Sequence, residues 1–587
     1  MPTARPARTW LPNTLPLTEW ETIVPYAEEL RTMPWRSFAD FYEWLKRLNE
    51  LEAALHEEAA WSFIRFTQNT QDLESRRAYE NYIQHIQPYL NELRYHLYKR
   101  YWESPWRALL PQEDFLNFNR IVQNYLALYR PENIPLETKA ELLAKSYNEI
   151  IGSLTVEIDG KTFTLPQASL FLESAERKRR EEVWEKIQTV RAAHANEIEE
   201  LFEELLAVRT QISHNAGFDN YYDFRFRQLG RFDWTVELCH NFHALVERFV
   251  RRLYLRLLRY KCNRLGLEAL YPWDLAVDPC DHHQPLRPFQ TEEELIEKGI
   301  ALFRQIHPRI GEMVVFLRDI GHLDLFSRPG KAPGGYNYSL QESGLPFIFM
   351  NAAGSHTDLV TFVHEVGHAV HTFQSRHLTF LLQREYPAEV AELASMSMEL
   401  IALYPSVFYT NPQDQARAWF HQISRVITLL PWIATVDAFQ EWVYRNPQHS
   451  RAERHRTWVA LYRRFHGDLV QWPASTLETL WHKQLHLFEV PLYYIEYGLA
   501  QIGALQIWQH YDANPQATIE KYLYALSLGY TRTVPEIYQA AGVKFFFEAE
   551  ELEGLFRFIL SHLRKIRDRL RLIEAAGSSE TPQASTR

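Results

Sequence analysis

The pentapeptide His364-Glu365-Val366-Gly367-His368 is compatible with only one local structure if its side chains are to act together. On an α-helix, residues four apart are neighbours on one face, so the two imidazoles converge on a point that Glu365 flanks. The surrounding sequence is phased for that helix. Leu359, Phe362, Val363, Val366, Val370 and Phe373 recur at helical spacing, and Ser355 and Asp358 stand ahead of them as a variant of the capping box. A helix with so apolar a stripe must dock on a substantial core.

Each position of the pattern has a chemical reason. Two neutral imidazoles fill two corners of a metal's coordination tetrahedron, a carboxylate from elsewhere in the chain fills a third, and water takes the fourth. Zinc in such a site lowers the pKa of its water to about 7, and the adjacent glutamate accepts the proton. The pattern therefore predicts one Zn2+ per chain on His364 and His368, with Glu365 as general base. Three fixed residues recur by chance in roughly a few per cent of chains this long, so context has to carry part of the weight. The run around the motif is apolar, correctly phased and free of proline.

At 587 residues the chain exceeds one ordinary core, and two or more lobes are expected. Aromatic residues make up 14%, enough to fill helix contacts and to line a peptide cavity. The formal net charge of −11, with no basic stripe, argues against nucleic acid as a partner. Cys239, Cys262 and Cys280 are an odd number without metal-site spacing, which suits a reducing cytoplasm. The N-terminus lacks the apolar segment of a secretory signal, and the apolar run from Val426 is short and interrupted by Pro431. Neither export nor a membrane partner is expected.

Residues 18–146 read as several long helices. Asp159-Gly160 joins two β-prone segments in a two-residue hairpin, and helical periodicity resumes from about Leu170. His282 and His283 form an adjacent pair in a polar loop, which reads as exposed rather than metal-binding. Gly330 to Gly335 supply permissive backbone ahead of β-prone Tyr336, and the stretch from Leu345 to Met350 reads as a strand. An edge strand beside the metal helix can pair with an extended peptide through main-chain hydrogen bonds.

The third ligand is not obvious. His371 lies about 10 Å along the helix axis from His364, too far for a shared ion. The longer pattern HExxHxxGxxH fails because Gln374 stands where its last histidine belongs. Pro387 opens a second helix carrying Glu389, Glu392 and Glu399, and spacing does not choose between Glu389 and Glu392.

Taken together, His364 to His371 followed by Glu392 to Glu399 resembles the oligoendopeptidase F branch of the thimet-type zinc metallopeptidases. Gly334-Gly335-Tyr336 resembles that family's glycine-rich loop, and His486 with Tyr493, Tyr494 and Tyr497 resembles its His/Tyr segment. Ser527 to Thr531 and Ala541 to Phe545 resemble its C-terminal pattern, so the likeness runs from about residue 150 to 575. The resemblance implies Glu392 as third ligand and Glu399 as orienter of a ligand histidine. It also implies His486 with Tyr494 or Tyr497 as oxyanion donors, and substrate contacts at Gly334, Gly335, Tyr336 and Tyr493. Tyr494 and Tyr497, three apart on one helix face, are the pair expected at the metal.

The implied fold is mainly α, a two-lobed helical zincin with a small β element beside the HExxH helix and a deep channel between the lobes. An N-terminal helical region over 1–150, a hairpin and connecting helix over 151–200, a catalytic region over 201–576 and a disordered tail over 577–587 are expected. The implied activity is hydrolysis of internal bonds in short peptides. A carboxypeptidase of the same zinc class, or a helical peptide-binding protein without turnover, are the alternatives, and the sequence does not indicate an oligomeric state.

Overall fold

The computed structural model describes residues 8–280, 285–328, 330–332, 334–404 and 406–579, so His282 and His283 lie outside the described residues. Within them the chain is predominantly helical, with a two-stranded and a three-stranded sheet.

Among the described residues two large hydrophobic cores divide the molecule, accompanied by two smaller clusters. The first gathers side chains between Leu11 and Val122 around helix α1, Phe38–Gln68. Ser37 starts that helix by accepting from the Asp40 amide, and Phe41, Trp44, Leu45, Leu48 and Leu55 fill one face at helical spacing. The second core extends from Tyr147 to Leu570. Phe380, Leu381 and Leu382 come from the C-terminal half of the chain yet pack into the first core, which ties the two together. Full burial of a side chain such as Phe380 stabilises by roughly 1.5–3 kcal/mol, so this insertion is a firm clasp.

The hairpin forms where its turn residues predict. Strands β1, Thr155–Ile158, and β2, Lys161–Thr164, pair antiparallel, and Asp159 and Gly160 both take positive φ, 52° and 71°, as a two-residue primed turn requires. The larger sheet runs β3-β5-β4, from β3, Leu323–Phe326, β4, Tyr336–Leu340, and β5, Leu345–Ala352, with β5 central, parallel to β3 and antiparallel to β4.

Five further helices build the site. They are α2, Ala195–Asn215; α3, His356–Ser375, which carries the metal motif; α4, Ala388–Ile401; α5, Pro412–Arg445; and behind these the substrate-segment helix α6, Tyr494–Ala513. The Ser355–Asp358 capping box is present. α4 is buried along nearly its whole length, sandwiched so that even Glu389, Glu392 and Glu399 are inside. Helix α5 continues through Pro431, and Thr435 donates to the Pro431 carbonyl at 2.8 Å. No helix among the described residues is long and apolar enough to cross a membrane. The last helix, Ala549–Ser579, runs three residues into the segment expected as a disordered tail, and 580–587 lie outside the described residues.

Candidate metal and catalytic site

Helices α3 and α4 meet at a glycine. A Cβ on Gly367 would stand 2.6 Å from Ser395 Cα and 3.0 Å from the Ala394 carbonyl oxygen, so only glycine allows this approach. The approach carries Glu392 to the two histidines. His364 Nε2 and His368 Nε2 lie 3.2 Å apart, and Glu392 Oε2 lies 3.4 Å from the first and 3.8 Å from the second. A tetrahedral ion with bonds of about 2.0–2.1 Å has ligand-to-ligand edges of about 3.3 Å, so the three donors fit one such ion. Glu389, the alternative, accepts from the Trp234 indole at 2.9 Å instead and is not in the triad.

The surroundings orient these donors. His364 Nδ1 meets Glu399 Oε1 at 2.7 Å, which leaves the Nε2 lone pair facing the triad. Glu399 in turn accepts from Gln422 and Arg425, each at 2.7 Å. Burial alone would raise the Glu399 pKa, but Arg425, His364 and Gln422 outweigh it and hold the carboxyl below its usual range. Tyr493 donates to Glu392 Oε1 at 3.0 Å, and Ser395 donates to Oε2 at 3.1 Å. Burial, partly opposed by His364 and reinforced by Glu392 and Glu399, pushes the Glu365 pKa up to about 7. Its Oε2 is buried without a hydrogen-bond partner, the state of a carboxylate free to take a proton. Three carboxylates around two imidazoles make a cluster that favours a bound cation.

His371 is fully buried and stacks on Tyr386 at a 3.3 Å centroid separation, away from the triad as its axial offset predicts.

A second set of residues assembles above the triad. The Gln484 amide donates to His486 Nδ1 at 2.8 Å, and its carbonyl accepts from the Trp432 indole at 2.8 Å. Because an indole only donates, the amide orientation is fixed and the His486 proton sits on Nε2, directed at the Tyr497 hydroxyl 3.4 Å away. Burial pushes the His486 pKa down to about 4, so the ring is neutral near pH 7. The tyrosines sort differently from expectation. Tyr493, not Tyr494, reaches Glu392, while Tyr494 is buried with its hydroxyl at Gln484 and Trp432. The reason is that Tyr493 and Tyr497, four apart at the start of α6, share a face as well as Tyr494 and Tyr497 do.

The loop bearing these groups is clamped by three arginines that its own sequence does not announce. Arg209 on α2 donates to the carbonyls of Leu487 and Phe488, Arg225 to that of Pro491, and Arg231 to that of Leu492 and to the Glu496 carboxylate. Leu492 is held at φ 64°, a strained conformation for a branched residue that this clamp maintains. Gly367, the three arginines, and Gln484, Trp432, Gln422 and Arg425, which orient His486 and Glu399, are positions that sequence reasoning missed. Only the glycine within the motif carried a signal.

The glycine loop splits in the same way. Gly334 takes φ +96° and Gly335 lies against Thr361 of α3, one turn before His364. Tyr336 does not face the metal helix. Alternation along β4 sends Asn337 and Ser339 to α3, where they meet the Glu365 carbonyl at 3.3 Å and Thr372 at 2.7 Å, and turns Tyr336 towards α1, where it bonds Thr67 at 2.6 Å and stacks on Phe349.

The sequence profile described as Peptidase family M3 matches residues 170–555, and that of the Peptidase M3 N-terminal domain matches residues 18–125. An oligoendopeptidase F homolog of Borreliella burgdorferi is 23% identical over 256 residues, 42% of each chain. One of Mycoplasma pneumoniae is 22% identical over 347 residues, 55% of this chain and 52% of that one. The chain thus spans about half the length of these curated relatives. A solved structure of Pz peptidase A with inhibitor 2 superposes with a TM-score of 0.88 at 26% identity, over 94% of this chain and 99% of that one. The triad lies within the matched profile, and the chain belongs to peptidase family M3.

Proposed function

We propose that the chain is a zinc-dependent endopeptidase that hydrolyses internal bonds of short peptides. The observation that carries this reading is the His364, His368 and Glu392 triad, with edges of 3.2, 3.4 and 3.8 Å and the unpartnered carboxylate of Glu365 beside it. The family and the likeness to oligoendopeptidase F homologues support the same activity.

His364, His368 and Glu392 would hold one Zn2+, which when bound polarises a carbonyl and acidifies water. Glu365 takes the proton of the attacking water and later delivers it to the leaving amine. His486, through its Nε2 proton, and the Tyr497 hydroxyl donate to the developing oxyanion, and neither needs to reorient because Gln484 and Trp432 have fixed the imidazole. Tyr493 steadies Glu392, and Glu399 keeps His364 in its ligand tautomer. β4 is an edge strand beside α3, suited to pair with an extended peptide, and the Gly334-Gly335 turn leaves room for it.

Cavities of about 480 and 670 Å3 flank the site, room for a short flexible peptide. A folded protein would first have to unfold, at a cost of roughly 5–15 kcal/mol. We further assign residues 1–150 to an N-terminal region, 151–200 to a connecting element and 201–576 to the catalytic region. The three cysteines are unpaired, which suits a reducing cytoplasm, and neither nucleic acid nor a membrane is a proposed partner.

The test is mass spectrometry of products from a mixed library of short peptides, with wild type and Glu365→Gln. Internal cuts by wild type, and a loss of at least about a hundredfold in the variant with zinc retained, are expected. Stepwise loss of C-terminal residues would mark a carboxypeptidase, and undiminished turnover by Glu365→Gln would remove the mechanism.

A further inference from the structure

The 480 Å3 cavity has a charge character that the hydrolytic machinery does not use. It adjoins the site through shared residues: Val360 lies one turn before His364, Gln422 and Arg425 hold Glu399, and Trp432 holds Gln484. Its described lining includes Lys261, Arg425 and Lys483 but no aspartate or glutamate. The rest is largely apolar, from side chains such as Leu258, Phe420 and Trp472.

The cations are not balanced from behind. Lys483 has no carboxylate partner among the described residues and lies over the Trp432 ring, 4.6 Å from its centroid. Lys261 donates to the Leu275 carbonyl. The acids nearest to it are already engaged: Asp278 by Arg417 at 2.9 Å and His421 at 3.0 Å, and Asp274 by Arg177 and Arg180, each at 2.9 Å. Lys261 is half-buried and desolvation pushes its pKa down to about 8, while Lys483 lines the cavity from a position exposed to solvent, so both are protonated in the main at pH 7. Arg425 spends one of its nitrogens on Glu399 and its side chain is 44% exposed. An anion entering the cavity meets these three cations with no carboxylate in the described lining to oppose it. The second cavity contrasts, since its lining includes Glu137 and Glu385 and it adjoins the site through Tyr493.

We propose that the cavity lined by Lys261, Arg425 and Lys483 is a subsite for a carboxylate of the bound peptide, carried on an apolar segment. The carboxylate is either the free C-terminus or an acidic side chain. This deepens the peptidase reading and rests on it. The volume admits a segment rather than a single terminal residue, so a terminus anchored here remains consistent with an internal cut.

The experiment measures binding, so that it does not depend on turnover. Zinc-loaded Glu365→Gln is titrated calorimetrically with three peptides of one core sequence: a free acid, its C-terminal amide, and an amide with glutamate as its last residue. The same titrations are made with Lys483→Met and with Lys261→Met/Lys483→Met added, melting being checked for each. The free acid should bind about tenfold or more tighter than the amide, the scale of one charge-assisted hydrogen bond, and the preference should collapse in the double variant. If the glutamate peptide recovers the affinity, the subsite reads a side chain; if only the free acid binds tightly, it reads the terminus. Equal affinity for all three, absent binding, or a preference unchanged by the double variant would overturn the proposal. Cleavage of the amide by wild type in those cases would leave the peptidase reading standing.

Discussion

Gly367 faces Ser395 so closely that a Cβ would stand 2.6 Å from the Ser395 Cα. The middle of the HExxH motif is therefore also the contact that brings Glu392, the proposed third ligand, to the two histidines. Gly367→Ala must push α3 and α4 apart, at about 1–3 kcal/mol of stability, and move Glu392 away from the histidines. Lower zinc occupancy together with a lower melting temperature is expected. Unchanged zinc affinity in this variant would mean that α3 and α4 can separate without displacing Glu392.

The tyrosines offer a separable set. Tyr497→Phe should lower kcat by about a hundredfold with little change in KM, because its proton acts on charge present only in the transition state. Tyr493→Phe removes the hydrogen bond on Glu392 and should weaken zinc affinity about 10- to 100-fold. Tyr494→Phe, buried at Gln484 and Trp432, should lower thermal stability and leave kcat within a few-fold. Zinc titration, steady-state kinetics and melting on all three variants assign each tyrosine, and a kcat collapse in Tyr494→Phe alone would restore the assignment expected from spacing.

Local signals were the legible ones. The HExxH helix with its cap, the Asp159-Gly160 hairpin and the β5 strand each follow from residues close in sequence, where capping, turn conformation and periodicity act. Glu392 against Glu389 was not decidable by spacing, because both lie on one buried helix and only the approach of α3 at Gly367 separates them. Tyr493 against Tyr494 failed for a related reason, since spacings of three and four both share a helix face. The arginine clamps from Arg209, Arg225 and Arg231 bind backbone carbonyls more than 200 positions away, and no local pattern encodes such a contact.

Buried imidazoles set an acid limit on stability. Burial pushes the pKa values of His371 and His466 down to about 3 in the folded chain, from 6.5 when unfolded. Between about pH 6.5 and 3 the unfolded state binds more protons, so stability falls as pH falls, approaching about 1.4 kcal/mol per pH unit for each ring. His371→Phe removes one such group and keeps a ring for Tyr386 to stack on. Urea unfolding of the two proteins at pH 7.5, 6 and 5 should show the variant's relative stability growing as pH drops. A difference independent of pH would mean that His371 takes up its proton in the fold as readily as in the unfolded chain.

The central claim is that His364, His368 and Glu392, and not Glu389, hold the metal. Zinc content after dialysis at fixed free zinc, determined by atomic absorption for wild type, Glu392→Gln and Glu389→Gln, tests it most directly. One zinc per chain in wild type and Glu389→Gln, with near-complete loss in Glu392→Gln, is the predicted result. Zinc retained in Glu392→Gln, or lost only in Glu389→Gln, would contradict the account.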